Sequence, residues 1–309
     1  MKPKVIIIAG PTASGKTQLS VELAKKINGE IISADSMQIY RHLNSGTAKI
    51  TEEEKQGIQH YLIDICDVSD EFSVADFQKL AYQKIEEILQ KNKVPIIVGG
   101  TGLYISSLVK NMKFVPQTDQ DYLIKENLNK RIEELGDTAK DVLYDELLSI
   151  DKEAAEKIDK NNFKRVVRAL AMYYSTGLTK TEQEKKTKPN DGKYQYITFV
   201  IDCARDVLYN RINLRVDAMI KQNILDEAKW LLNQNIDPKS TAMQAMGYKE
   251  FFPYLKGEES LEKCVEKLKQ ETRKYAKRQI TWFKRVENAI YINGENNIEE
   301  KISDILNNI

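Results

Sequence analysis

The most constraining feature of the chain is its first thirty residues. Val5 to Ala9 is an unbroken β-rich apolar run, Gly10-Pro11-Thr12-Ala13-Ser14-Gly15-Lys16-Thr17 follows at once, and Leu19, Val21, Leu23, Ala24 and Ile27 then recur at helical spacing. The middle piece fits GxxxxGK[ST], so the order is strand, glycine-rich turn, helix. Glycines at 10 and 15 let the loop wrap closely, its amides and the helix N-terminus face an anion, and Lys16 adds a point charge. The Thr17 hydroxyl suits a Mg²⁺ bridging phosphates. Such a loop reads a chain of phosphates and not a base, so a nucleotide such as ATP and a simple diphosphate are equally compatible.

The elements that follow specify the architecture. Glu30 to Ala34, Gln59 to Ile65 and Val94 to Val98 read as further strands, with a helix over Ala75 to Gln90. Strands alternating with helices imply a P-loop-type α/β fold, a parallel sheet with helices on both faces. From about Pro116 to Gly177 only helical periods are found, over Asp121–Leu135, Thr138–Ile150, Lys152–Ile158 and Phe163–Thr176, followed by a polar stretch, TKTEQEKKTKPNDGK, expected to be an exposed loop. Tyr194 to Cys203 returns to strand, Arg205–Leu232 and Ser260–Val286 read as helices, and Ala289–Ile292 as a short strand. The expectation is a core of residues 1–115 and 195–309, interrupted by a helical insertion, 116–194.

Composition excludes several chemistries. His42 and His60 are the only histidines, too few for a histidine metal centre or relay. Cys66, Cys203 and Cys264 are odd in number and too far apart for a CxxC site, which points to reduced thiols in a cytoplasmic protein. No apolar run is long enough for a signal core or a membrane span. The net charge of +1 means that any nucleic-acid surface must be local.

Three local signals qualify the P-loop. The strand at Val94–Val98 runs into Gly99-Gly100-Thr101 without the metal-holding Asp usual in NTP-hydrolysing P-loop proteins. Asp35 stands instead after the second strand, with Ser36, Met37 and Gln38, and strand ends gather around one crevice in α/β folds. A lone Asp there is ordinarily a turn residue, but a carboxylate, a hydroxyl and an amide within four residues can deprotonate and read a nucleobase edge. Finally, KLKQETRKYAKRQITWFKR (267–285) as a helix carries Arg273, Lys274, Lys277, Arg278, Lys284 and Arg285 on one broad face. That face is either simply solvated or a match for a phosphate backbone. Lys164 to Arg168 is a second basic helix, Arg211 and Arg215 can reach the phosphate site or pair with Asp206 or Asp217, and His60 and Met243–Tyr248 read most simply as structural.

These residues closely resemble the bacterial tRNA dimethylallyltransferases, also called isopentenyl-diphosphate:tRNA transferases. The likeness runs through GPTASGKT (10–17), ISADSMQIYR (32–41), GTAK (46–49), QHYLID (59–64), FSVADF (72–77), VGGTGLY (98–104), KRVVRAL (164–170), QAMGYKE (244–250) and TRKYAKRQITWFK (272–284). The resemblance implies transfer of a dimethylallyl group from its diphosphate to the exocyclic amine of the adenosine 3′ to the anticodon, without ATP hydrolysis. It implies that residues 12–17 hold the diphosphate with Mg²⁺, that Asp35 is the general base, that Arg215 supports the diphosphate and that Thr101 contacts the target nucleotide. It assigns tRNA contacts to Asp35, Ser36, Met37 and Gln38, to Lys164, Arg165, Val166, Val167 and Arg168, to Gln244, Ala245, Met246, Gly247, Tyr248 and Lys249, and to Lys277, Arg278, Gln279, Trp282 and Lys284. The partners implied are a tRNA anticodon stem-loop and dimethylallyl diphosphate, acting on a cytoplasmic monomer. Departures include Gln59-His60 where the family often has two histidines, GTAKIT for GTAKPT, and Gln244 where Arg is common. Rival expectations are a small-molecule P-loop kinase and a non-catalytic RNA-binding module.

Overall fold

The structure, a computed structural model, describes residues 2–114, 119–186 and 192–309. Its chain divides into two compact units, Met1–Val109 with Gly192–Ile309, and Lys110–Asp191. The junction expected at 115/116 lies outside the described residues.

In the first unit the strands are β1 (Lys4–Ala9), β2 (Gly29–Ser33), β3 (His60–Tyr61), β4 (Val94–Gly99), β5 (Gln195–Asp202) and β6 (Ile290–Asn293). They form one wholly parallel sheet in the order β3-β2-β4-β1-β5-β6. Its helices are α1 (Lys16–Ile27), α2 (Glu52–Lys55), α3 (Val74–Gln90) and α4 (Gly102–Val109) before the second unit. The second unit contains α5 (Asp119–Leu135), α6 (Ala139–Ile150), α7 (Lys152–Lys157), α8 (Phe163–Thr176) and α9 (Lys180–Lys186). The first resumes with α10 (Arg205–Lys221), α11 (Ile224–Leu232), α12 (Phe252–Leu255), α13 (Leu261–Phe283) and α14 (Ile298–Leu306).

Successive strand residues face opposite sides of the sheet, and the core divides accordingly. Ile6 and Ile8 of β1 join Leu19 and Leu23 of α1 and Leu208 and Ile212 of α10. Val5, Ile7 and Ala9 join Phe77 and Ile85 of α3 and Ile105 of α4 on the other face. Each fully buried Ile contributes about 2 kcal/mol relative to exposure, which is why an all-apolar β1 belongs at the centre. The chain leaves β1 toward one edge and returns to its other side at β5, so the carboxyl ends of neighbouring β1 and β4 flank the crevice.

Some expectations are corrected. The third strand keeps only His60–Tyr61, because Leu62 and Asp64 take φ of 60° and 55° and turn the chain out of the sheet. The single helix expected over Arg205–Leu232 breaks at Gln222–Asn223, where Asn223 has φ 65°. The polar stretch after Gly177 is helical over Lys180–Lys186, with Thr179 bonded to Glu182; its later residues, 187–191, lie outside the described residues.

Candidate functional site

Between Ala9 and Lys16 the chain forms an anion cradle. Gly15 precedes α1 with φ 91°, a conformation L side chains rarely adopt, and no side chain caps the helix start. The first turn carries no acidic residue, so its amides and dipole face outward uncompensated. Ser14 is buried with no protein partner for its Oγ. Lys16 folds back, its Nζ donating to the Pro11 carbonyl at 2.6 Å. Burial, and then the charge of Arg215, hold the Lys16 ammonium down at about 7, with Asp35 opposing the shift.

Beside the loop lies a cavity of about 260 Å³ lined by residues 13–17 with Arg211 and Arg215. Arg215 donates to Thr12 Oγ1 at 3.3 Å, and Asp217 pairs with Lys269, so Arg215 is turned toward the loop. Arg211 reaches only long contacts, 3.5 Å to the Gly294 carbonyl and 3.7 Å to Cys203 Sγ. Lys16 and Thr17 also border a second cavity of about 60 Å³ that contains Asp35, Gly99 and Gly100.

Asp35 leaves the end of β2 in a tight turn. Its Oδ1 accepts from the amides of Met37 at 2.9 Å and Gln38 at 3.4 Å, and no hydrogen bond from the described residues reaches Oδ2. Thr101, just after β4, donates its amide to the Ala34 carbonyl at 3.2 Å and accepts from the Ser36 amide at 3.1 Å through Oγ1. The structure thus brings Asp35, Ser36, Thr101 and the P-loop together around one crevice. Gln38 is less free than expected: its Nε2 donates to the carbonyls of Thr47 and Ala48, each at 3.3 Å, and its Oε1 accepts from Ser33 Oγ at 3.2 Å. Its donors are engaged by the GTAK loop.

That loop is itself held from a distance. Glu227 of α11 accepts from the amides of Asn44 and Ser45, from Ser45 Oγ and from the Tyr248 hydroxyl at 2.7 Å, and Tyr248 Oη accepts from the Gly46 amide at 3.1 Å. Tyr248 is fully buried. Its ring and hydroxyl are engaged by Gly46 and Glu227. Gln279 is engaged within the protein as well. Its Oε1 accepts from the Thr12 amide and its Nε2 donates to the Gly100 carbonyl, both at 2.9 Å, tying the P-loop to the β4–α4 turn. A Cβ on residue 100 would lie 2.3 Å from that Nε2, so only glycine admits the clamp. Tyr275, four residues earlier on α13, was not singled out by sequence; burial and the charge of Asp35 push its phenol up to about 12.

The remaining expected contacts divide by exposure. On α8, Lys164, Arg165 and Arg168 are exposed and Val167 is half-buried, while Val166 is buried with Leu143 and Leu147 in the second unit's own core. In 244–249, Gln244 and Lys249 are exposed, Met246 is intermediate, and Ala245 and Gly247 are buried. Val166, Ala245 and Gly247 are apposed to protein. On α13 Lys277 and Arg278 are exposed, as is Lys284 just past its end; Trp282 is 37% exposed and donates Nε1–H to Ser106 Oγ at 3.1 Å. Met37 is half-buried. Among the described residues no cluster of three His, Cys, Asp or Glu is arranged to hold a metal ion.

Comparison with known proteins bears on this geometry. Residues 38–286 match the family model described as IPP transferase. The tRNA dimethylallyltransferase of Acetivibrio thermocellus is 48% identical over 299 residues, 96% of this chain and 94% of that protein. That of Enterococcus faecalis is 51% identical over 283 residues, 91% and 88% of the two chains. Among solved structures, the Bacillus halodurans tRNA isopentenylpyrophosphate transferase superposes with a TM-score of 0.73 at 42% identity, over 99% of this chain and 95% of that one. A eukaryotic dimethylallyltransferase acting on tRNA gives 0.83 at 31% identity, over 99% and 80%. A β4 end without a carboxylate, a phosphate cradle opening on Asp35 and likeness over nearly the whole chain converge: the chain belongs to the IPP transferase family.

Proposed function

We propose that this chain is a tRNA dimethylallyltransferase, moving the dimethylallyl group of dimethylallyl diphosphate onto the exocyclic amine of the adenosine next to the 3′ side of the anticodon. The observation that carries this reading is the adjacency of two half-sites through Lys16 and Thr17: a cationic phosphate cavity, and a crevice holding Asp35 with no carboxylate at the end of β4. The names of its relatives support it.

In the reaction the bond from the allylic carbon to the diphosphate oxygen breaks, the amine nitrogen bonds that carbon, and the amine proton passes to Asp35. Positive charge builds on the allylic carbon and negative charge on the departing diphosphate. Lys16, Arg215 and the loop amides stabilise the latter. The Asp35 Oδ2, free of protein donors, accepts the proton while its turn fixes the carboxylate. Because an adenine amine is a weak nucleophile, holding it in line with the carbon contributes most. Thr101 and Ser36 position the base, and a base stacked in an anticodon loop must be extruded to reach them.

The exposed Thr17 hydroxyl would help to hold a Mg²⁺. When bound it would neutralise charge on the diphosphate. The exposed cations of α8 and α13 are assigned to the tRNA backbone, and the insertion, 116–194, to tRNA binding. No helix among the described residues is long and apolar enough to cross a membrane; the reading is of a cytoplasmic monomer. The P-loop serves the donor in this reading, and no ATP hydrolysis enters the reaction.

The test is incubation with unmodified tRNA, Mg²⁺ and labelled dimethylallyl diphosphate. Label is expected in the nucleoside 3′ to the anticodon with release of diphosphate. ATP-dependent phosphorylation without prenyl transfer would favour a kinase, and tRNA binding indifferent to donor without product would favour a binding module.

A further inference from the structure

The β1–β4 ladder ends at the pair Ala9 and Gly99. Beyond it β1 continues into the P-loop, and β4 continues into Thr101, whose amide bonds the Ala34 carbonyl and whose hydroxyl receives the Ser36 amide, on either side of Asp35. Gln279 supplies the next rung between the two chains. A primary amide carries the same donor and acceptor as a peptide group. Its Oε1 accepts from the Thr12 amide and its Nε2 donates to the Gly100 carbonyl, each at 2.9 Å. The Thr12 amide is thereby engaged inside the protein, while Thr12 Oγ1 accepts from Arg215 at 3.3 Å. One residue of the loop is thus tied both to the turn that holds Thr101 and to a cation of the phosphate cavity.

The helix that carries Gln279 is itself anchored to both halves of the site. Arg273 donates to Asn213 Oδ1 at 2.6 Å and Lys269 pairs with Asp217 at 2.9 Å, both on α10, the helix of Arg215. Trp282 donates to Ser106 on α4, and Tyr275, one turn before Gln279, meets the side chains of Thr101 and Gln279. At 5% exposure Gln279 stands where packing alone does not call for a polar side chain, since a methionine would fill the same space without an amide to satisfy.

We propose that Gln279 is a positioning residue for the transfer: its amide fixes the spacing between the P-loop and the β4–α4 turn, and so sets the line from the leaving oxygen to the attacking amine. The proposal rests on the prenyl-transfer reading above. In this role Gln279 acts through Thr12 on the donor and through Gly100 and Thr101 on the acceptor, and it contributes nothing to the affinity for either.

Two variants test this from opposite ends of the clamp. Gln279→Met keeps the volume and removes both hydrogen bonds. Gly100→Ala leaves Gln279 in place but sets a Cβ 2.3 Å from its Nε2, at a residue with no left-handed φ for alanine to resist. In each, single-turnover transfer from saturating dimethylallyl diphosphate to saturating unmodified tRNA should fall about a hundredfold, the cost of a misplacement of roughly 1 Å. Affinities for inorganic diphosphate and for tRNA should stay at their wild-type values. The double variant should be no slower than the slower single variant, because one clamp is broken only once. Unchanged rates at saturation would overturn the proposal. So would a loss confined to tRNA affinity, which would make Gln279 a tRNA contact, or a loss confined to diphosphate affinity, which would make it a prop of the P-loop alone. Independent losses that multiply in the double variant would overturn it too. Should Gln279→Met fail to fold, the Gly100→Ala rate decides. Failure of the wild-type enzyme to transfer any dimethylallyl group to tRNA would instead reject the reading of function on which the proposal depends.

Discussion

Lys16 illustrates how a single side chain couples binding to protons. Burial and the neighbouring Arg215 guanidinium hold its pKa down at about 7, so above that pH it is largely neutral. A bound diphosphate favours the charged form and raises the pKa again. Binding must then take up a proton at pH above 7, and donor affinity should fall by up to roughly tenfold per pH unit there while staying nearly flat below. Calorimetric titration with dimethylallyl diphosphate from acid to alkaline pH checks this, with Lys16→Arg as the comparison. Arginine holds its charge, so the variant should lose this part of the slope; identical slopes would remove Lys16 from the linkage. Asp35 makes the complementary case. Asp35→Ala removes the proton acceptor and the Met37 turn bond but no cationic group of the phosphate cavity. Turnover should fall by about two orders of magnitude with donor binding retained, measured as single-turnover transfer beside diphosphate binding. The P-loop and Asp35 are legible in sequence because their neighbours are contiguous. Gln279 is not: its partners Thr12 and Gly100 are separated from it by 267 and 179 positions, and a glutamine in a basic helix reads as solvated.

Elements were legible where period and caps agreed. Strands β1, β2, β4, β5 and β6 and helices α1, α3, α6 and α8 stand within a residue or two of expectation, because each carries an uninterrupted apolar period. Two exceptions, the shortened β3 and the divided Arg205–Leu232 helix, share a cause, a residue taking positive φ inside an otherwise continuous pattern. Asn223 splits one apolar period into α10 and α11, and that break lets α11 carry Glu227 to the GTAK loop. Helix α14 was passed over although Asn297 and Glu300 form a capping box ahead of buried Ile302 and Ile305. Helix α13 shows both readings of a charged helix at once. Leu268, Ala276 and Phe283 bury one side, whereas Lys277 and Arg278 stay exposed, Arg278 lying 5.6 Å from the Tyr275 ring centre. If both cations meet tRNA phosphates, Lys277→Ala with Arg278→Ala should weaken binding and reduce the slope of log affinity against log salt by about 1.4 to 1.8. Filter binding over a salt series measures it. An unaltered slope would leave this face merely solvated.

At the scale of the whole molecule, a net charge of +1 conceals a segregated surface, with acidic Glu52–Glu54 on α2 and cations gathered on α8 and α13. The core is segregated as well. The second unit has its own apolar cluster of Leu143, Leu147, Ala155, Ile158, Val166, Ala169 and Leu170. Asp151 stands at its polar centre, 6% exposed. It caps α7 through the Ala154 amide at 3.1 Å and binds α9 through the Thr181 amide at 2.9 Å and hydroxyl at 2.6 Å. Burial alone would raise its pKa, but the Thr181 and Ala154 hydrogen bonds outweigh that and hold the carboxyl below its ordinary range. A depressed carboxylate contributes stability above the unfolded-state pKa, about 4, and loses it as pH falls through the folded value. Asp151→Ala strands three buried donors, at about 2 to 4 kcal/mol. With separate cores, that loss should be confined to one unit. Hydrogen exchange at neutral pH should show protection falling across α6, α7 and α8 while β1 and β4 keep theirs, with diphosphate binding at the P-loop unchanged. Equal loss in both units would mean that the two cores unfold as one, and acidification below pH 4 should bring the wild-type second unit toward the variant's behaviour, whereas Asp151→Ala itself should lack that acid-dependent step.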